Sequence, residues 1–477
     1  MAHRIHVARG RLVASGLGLL LGAPLLLAGC PDNAKPDPAK AGPSSSAGTI
    51  APSPSAVATA SATTSASAEP AKPAAPCTIE STTVVDRGVR ADTGLTVVFL
   101  PGNQAAIGYA TGGTPKVIVI DTAGKAIQAD VDWSHVKNQE PTKDATTARG
   151  IHRVTPLGFK GQKMRVGMDF IDNSKDKNAA RYLRCGPADV EPIVADDSPL
   201  NFYEPMEDDV AKVGDQVMDV RDCRTFSNGE TSWVLYTEVK RDGKDDNHDL
   251  RFEWTIDEIP GKGKVKDPII DKRVAKPSKD KKYGTLDHFI TPVSVNAGTA
   301  GYMMVARDGG GLVFARRNDD MSRAGGPWPM FLAAGAGLPS MTHEAERVYL
   351  AVPEWNKTDL FMSSFMGNVA PVKPTKVELK DSSPPTEGSR DWPSLASSPD
   401  GNIFVSFIDG KSPKRRVRLA LLGPELMQRT SDVFDVTNGD VNISEARVVD
   451  IAGDKAFVAY LDVKGDLTAA IVSCKKQ

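Results

Sequence analysis

The residues whose chemistry is most constrained by position are five cysteines: Cys30, Cys77, Cys185, Cys223 and Cys474. No two are spaced as a CxxC redox or zinc pair. Cys77, Cys185, Cys223 and Cys474 suit structural disulfides in an oxidising compartment, and spacing alone leaves three connectivities open. A second set is a series of carboxylates, Asp172, Glu238, Asp308, Glu354, Asp409 and Asp462, each closing an apolar run. Brought together they would form a ring able to exchange protons; singly, such an acid accepts hydrogen bonds from turn amides, and that Asx-type role is the expectation. Two stretches alternate oxygen ligands, Asp172-Ser174-Asp176-Asn178 and Asp245-Asn247-Asp249. Calcium needs six to eight oxygens, and both stretches lack the glycine and the later Glu of an EF-hand, so solvated turns are expected. Beyond residue 29 the histidines are His135, His152, His248, His288 and His343. Asp287-His288 and His343-Glu344 are sequence neighbours, which along a strand face opposite ways. With no GxSxG, HExxH, P-loop or Rossmann pattern, the sequence assigns no catalytic residue, no metal ligand and no cofactor.

The elements carrying these residues are strands. After residue 77 a pattern returns: an apolar strand, an acid, a polar turn, a second strand. It is clearest at Asn402–Asp409 with Val417–Leu421 and at Lys455–Asp462 with Leu467–Val472. Earlier copies start at Met164, Trp233, Tyr302 and Val348, and Ala106–Tyr109 with Val117–Ile120 lacks the acid. The acids are 66, 70, 46, 55 and 53 residues apart. A unit of roughly 50 residues, unable to bury its own faces alone, is what radial β-propellers use. The expected fold is all-β, a single β-propeller of seven blades with six as the alternative, over residues 77–477. Tandem sandwiches are the competing arrangement. Val234, Tyr236, Val405, Phe407, Val458 and Tyr460 share one register and should be buried between blades. Gly309-Gly310-Gly311 reads as a hairpin turn.

The N-terminus differs in kind. Arg4, Arg9 and Arg11 precede an apolar stretch, Leu12–Leu27, which is short for a bilayer span. It ends at Leu27-Ala28-Gly29-Cys30, which resembles the lipobox of bacterial lipoproteins. The resemblance implies a leader over residues 1–29, cleavage before Cys30 and a lipid on its thiol, hence a membrane anchor in the bacterial cell envelope, with the outer membrane preferred. Of the 46 residues 31–76, 35 are Ala, Pro, Ser or Thr and none is aromatic. Too little apolar surface is available there to offset ordering entropy, so a disordered stalk is expected.

Two further resemblances belong to the repeats. Ser398-Pro-Asp-Gly401 before an apolar strand looks like the turn of TolB-type propellers. Trp392-Pro-Ser-Leu-Ala through Asp409 is similar to sialidase-like propeller strands. The Asp-box glycine is out of place, Gly401 following Asp400 directly, so sialidase activity is not implied. A propeller closes by pairing its chain ends in one blade, since an open ring leaves a bare sheet edge. That logic selects Cys77–Cys474 and leaves Cys185–Cys223. Removing the leader gives 55 basic against 60 acidic residues, a net of −5, and no case for a nucleic-acid partner. Residues 189–215 carry nine acids and 262–282 nine bases; both read as solvated insertions, with docking surfaces as the other reading. The function expected is a lipid-anchored binding or scaffold module for an envelope protein or glycan; the alternative is a carbohydrate-active enzyme at the central channel. Cys30→Ala should abolish incorporation of labelled palmitate and leave full-length precursor, read by gel mobility. Labelling equal to wild type would remove the anchor.

Overall fold

A computed structural model describes residues 77–474, apart from 90–94, 101–102, 112–113, 122, 131–149, 161–162, 173–181, 191–218, 228–230, 243–248, 259–264, 276–289, 334, 386, 438–440 and 451–452. Residues 1–76, with Cys30 and the expected leader and linker, lie outside these residues, as do nearly all of the acidic segment, both candidate calcium stretches apart from the backbones of Asp172 and Asp249, and the side chains of Cys185 and Cys223. Among the described residues no helix is long and apolar enough to cross a membrane.

The chain is all-β, as expected. Cys77–Asp86 (β1) is followed by Thr96–Leu100 (β2), Gln104–Thr111 (β3), Thr114–Asp121 (β4) and Ala126–Asp130 (β5), which form one sheet. Gly150–Lys160 (β6), Lys163–Asp172 (β7) and Tyr182–Val190 (β8) form the next. Asp219–Ser227 (β9), Ser232–Asp242 (β10), Asp249–Glu258 (β11) and Ile269–Ala275 (β12) follow. Then come Ile290–Asn296 (β13), Tyr302–Asp308 (β14), Gly311–Arg317 (β15) and Arg323–Phe331 (β16). Ser340–Glu344 (β17), Arg347–Pro353 (β18), Leu360–Met366 (β19) and Thr375–Lys376 (β20) make another, and Ser389–Ser397 (β21), Ile403–Lys411 (β22), Lys414–Leu422 (β23) and Phe434–Asp435 (β24) the next. Ile443–Asp450 (β25), Lys455–Asp462 (β26) and Leu467–Cys474 (β27) end the chain, with β1 added outside β27. Among the described residues every strand pairing is antiparallel, and all but that of β1 with β27 join sequence neighbours.

The middle strands β14, β22 and β26 are apolar on both faces because each is covered on both sides. In β22, Phe404 and Ile408 pack with Val458 and Tyr460 of β26, while Ile403, Val405 and Phe407 pack with Tyr349 and Ala351 of β18. In β26 the alternate residues Phe457, Ala459 and Leu461 turn to Ile107 and Tyr109 of β3. The same holds at β14, where Met304 meets Leu235 and Trp254 and Met303 meets Leu350 and Val352 of β18. All six residues expected to be buried in register are: Val234, Tyr236, Val405, Phe407, Val458 and Tyr460.

The turns follow local chemistry. Asp308 opposes Gly311 across a two-residue turn at Gly309-Gly310, and Gly309 takes φ +57°. Another turn recurs: Asp121, Ser398 and Asp462 each accept, through the backbone carbonyl, a bond from a glycine three residues on. Those glycines, Gly124, Gly401 and Gly465, all have positive φ.

Cys77 lies opposite Cys474 in the β1–β27 ladder, and the two are disulfide-bonded across a sequence separation of 397. The bond removes chain entropy from the unfolded state, on the order of 5 kcal/mol by the chain-entropy model. Non-reducing peptide mapping should recover a Cys77–Cys474 cross-linked peptide, and Cys77→Ser with Cys474→Ser should lower the thermal midpoint by several degrees. A peptide joining Cys77 to Cys185 or Cys223 would contradict the pairing.

Candidate functional site

The first strands of the sheets carry short polar residues, and these stitch neighbouring sheets together without a backbone ladder. Glu445 of β25 accepts a hydrogen bond from Leu95 N at 2.8 Å. Thr96 of β2 donates to the Val154 carbonyl of β6. Ser340 of β17 accepts from Leu395 N of β21 at 3.2 Å, and Ser397 of β21 donates back to the His343 carbonyl. Ser394 of β21 accepts from Val448 N of β25 at 3.2 Å.

Between these strands lies a cavity of about 520 Å³, within the range of small-molecule sites. Among the described residues its lining includes Arg224, Arg447 and His343, with Phe99, Phe226 and Trp392 as aromatic walls. Arg447 is held from behind: Nη2 lies 2.7 Å from Oε1 of buried Glu445, and Nη1 donates to the Ala446 carbonyl at 2.8 Å. Its guanidinium carbon is 5.6 Å from the Trp392 ring centroid. Trp392 has φ +52°, a left-handed conformation that costs a bulky residue about 1–3 kcal/mol. It sits where the β21–β22 register slips between Asp391 and Ser394, so Trp392-Pro393 is a bulge that re-aims the ring.

A second polar cluster is packed inside the same sheet. Arg418 of β23, 1% exposed, has Nη1 2.9 Å from Asp381 Oδ2 and 3.2 Å from Asp409 Oδ2. Arg390 of β21 places Nη2 2.6 Å from the same Asp381 oxygen and stacks over Phe407, 4.9 Å from the centroid. Arg418 also donates to the carbonyls of Ser383 and Val433. The cluster thereby ties the 381–383 segment and the approach to β24 onto β23. Burial pushes the Asp409 carboxyl above its ordinary range, against the pull of Arg390 and Arg418. Asp409 Oδ1 is buried without a hydrogen-bond partner among the described residues.

The carboxylate series therefore splits. Asp462 is the turn acceptor expected, taking bonds from Lys464 N and Asp466 N, both 2.9 Å. Asp121, which the repeat pattern passed over, does the same for Ala123 N and Lys125 N. Asp409 corrects that expectation: its side chain is buried between two arginines. Asp308 lies 3.5 Å from Arg273 of the preceding sheet. The side chains of Asp172 and Glu238 lie outside the described residues. His343 lines the cavity together with Ser340, Met341 and Thr342 of the same strand, whereas its neighbour Glu344 is not part of the lining. Among the described residues no group of three His, Cys, Asp or Glu could hold a metal. Arg224, Arg447, Arg390 and Arg418 had no sequence signal; Trp392 stood inside a repeat motif, with nothing to mark its strained backbone.

No family model matches the chain, and no curated protein matches it. Solved structures similar to it include a variant NanB sialidase from Streptococcus pneumoniae, 10% identical, covering 82% of this chain and 70% of that one at a TM-score of 0.39. A neuraminidase-like protein of A/little yellow-shouldered bat/Guatemala is 9% identical, covering 68% and 99%, TM-score 0.34. The dihydro-heme d1 dehydrogenase NirN is 12% identical, covering 80% and 67%, TM-score 0.38. At such scores the likenesses transfer neither activity nor site to this chain.

Removing one partner of the buried cluster strands the others. Arg418→Met should cost about 3–5 kcal/mol in urea unfolding at neutral pH, and adding Asp409→Asn should recover part of it. An unchanged midpoint in the single variant would show that the cluster is dispensable.

Proposed function

We propose that this chain is a closed, seven-bladed propeller, tethered to the bacterial cell envelope through Cys30, that works as a binding module for a protein or glycan partner at the mouth of its central cavity. One observation carries the reading: β2, β6, β9, β13, β17, β21 and β25, the first strands of all seven described sheets, each contribute residues to the same cavity. Tandem sandwiches would bury those strands in separate cores; a radial arrangement turns each sheet's first strand toward one axis. The succession of strand contacts supports it, β2 beside β6, β6 beside β9, β9 beside β13, and so on to β25 beside β2. Joining β1 to β27 fits closure, because it completes the last sheet with the first strand of the domain. The tether rests on the lipobox-like Leu27–Cys30, and the stalk after it gives the domain reach from a membrane surface.

Binding rather than turnover is favoured by how the cavity is furnished. Its polar groups are hydroxyls, two arginines and a histidine, several already committed to holding strands together, and such fixed donors orient a ligand. The test is a photo-cross-linker placed in the full, acylated chain at Phe99, a half-exposed cavity residue, or at Val84, equally exposed on the outer strand β1. Envelope material should be captured from Phe99 and not from Val84. Equal capture from both positions would refute a partner at the cavity, and release of cleaved sugars from envelope glycans by the purified chain would install the enzyme reading instead.

A further inference from the structure

The carboxylates and cations among the described lining residues reduce to two groups of one sign, Arg224 and Arg447. Arg447 is not a mobile surface cation. Buried Glu445 grips one nitrogen, the Ala446 carbonyl takes another, and the indole of Trp392 lies alongside. A planar guanidinium fixed in this way is pre-organised for a forked contact with a carboxylate or phosphate. The Trp392 ring is held in place by a bulge and a left-handed backbone, a conformation a tryptophan keeps only where its surroundings enforce it.

We infer that the cavity takes a small organic anion, a carboxylate or phosphate carried on a planar or apolar body, with Arg224 and Arg447 pairing its charge and Trp392 flanking its body. The inference rests on the binding-module reading and names the chemical class that the cavity selects. A volume of about 520 Å³ admits a molecule of one or two rings and excludes a folded chain, so a macromolecular partner would enter only by a protruding group of this chemistry.

The test is calorimetric titration of the full chain in detergent with benzoate, phenyl phosphate and uncharged benzyl alcohol. Both anions should bind at least about tenfold more tightly than the alcohol, as a charge-assisted contact requires. Their affinity should fall as salt is raised, and intrinsic tryptophan fluorescence should change on binding. The tighter of the two identifies carboxylate or phosphate as the better match. Arg224→Gln should weaken both by about tenfold or more and leave the weak binding of benzyl alcohol as it was. Arg447→Gln would leave Glu445 buried without its cation and is expected to unfold, so Arg447→Lys, which keeps that pair but loses the fork, is the companion variant; it should weaken the anions and spare the alcohol. Benzyl alcohol binding as tightly as the anions overturns the inference, as does failure of all three probes. If the probes fail while Phe99 still captures envelope material, only the anion is refuted; if capture fails as well, the binding module falls with it.

Discussion

The constraint on which this structure depends is that a four-stranded sheet with apolar residues on both faces cannot end in water on either. Burial at roughly 25 cal/mol per Å² of apolar surface drives each sheet against two neighbours, and the β22 and β26 side chains show both contacts at once. Phe404 and Ile408 face the following sheet, while Val405 and Phe407 face the preceding one. The middle strands consequently read as unbroken apolar runs, the pattern of strands covered on both sides. Polar residues are pushed to the first strands, the outer edges and the turns.

From that displacement the cavity follows. Among the described residues the first strands form no backbone ladder with one another, and their short hydroxyls and Glu445 link them instead. Groups that stitch the sheets also line the space between them, and cohesion and ligand chemistry share residues. Ser394 and Ser397 illustrate the overlap: each bonds to the backbone of a neighbouring sheet and each lines the cavity. The strain at Trp392 is placed where it can act, on a bulge against that space and beside a held arginine.

Two devices compensate for weaknesses of the arrangement. A row of stacked sheets has ends, and the pairing of β1 with β27, fastened by Cys77–Cys474, joins the first strand to the last sheet. The short outer strand β24 contributes little ladder of its own. Around it Arg418 reaches through the sheet to bind Asp381, Asp409 and the Ser383 carbonyl, replacing missing backbone pairs with buried, charge-assisted bonds. Such a cluster is costly to desolvate and costly to break, which confers local order more than net stability.

The sequence by itself determined what depends on neighbours along the chain. Alternation and turn chemistry located the second and third strands of every sheet, from Ala106–Tyr109 with Val117–Ile120 to Lys455–Asp462 with Leu467–Val472, because those strands carry the densest apolar runs. It also determined that residues 31–76 lack the apolar surface to make a core. Closure logic picked out Cys77–Cys474 from three connectivities. Most first and fourth strands escaped notice, since β2, β17, β20 and β24 are short or partly polar and owe their conformation to the strand they pair with; β21, through Trp392-Pro-Ser-Leu-Ala, and β1, through Cys77, were the exceptions. Tertiary structure alone decided that Asp409 is an ion-pair acid while Asp462 is a turn acid. Both end an apolar run, and the difference lies in Arg390, Arg418 and Asp381 brought in from other strands and loops. Arg224 and Arg447 are 223 residues apart in the chain and meet at one cavity only because their strands take equivalent places in different sheets. Long-range juxtaposition of that kind leaves no local trace, because no propensity, period or spacing records which distant strand will lie opposite.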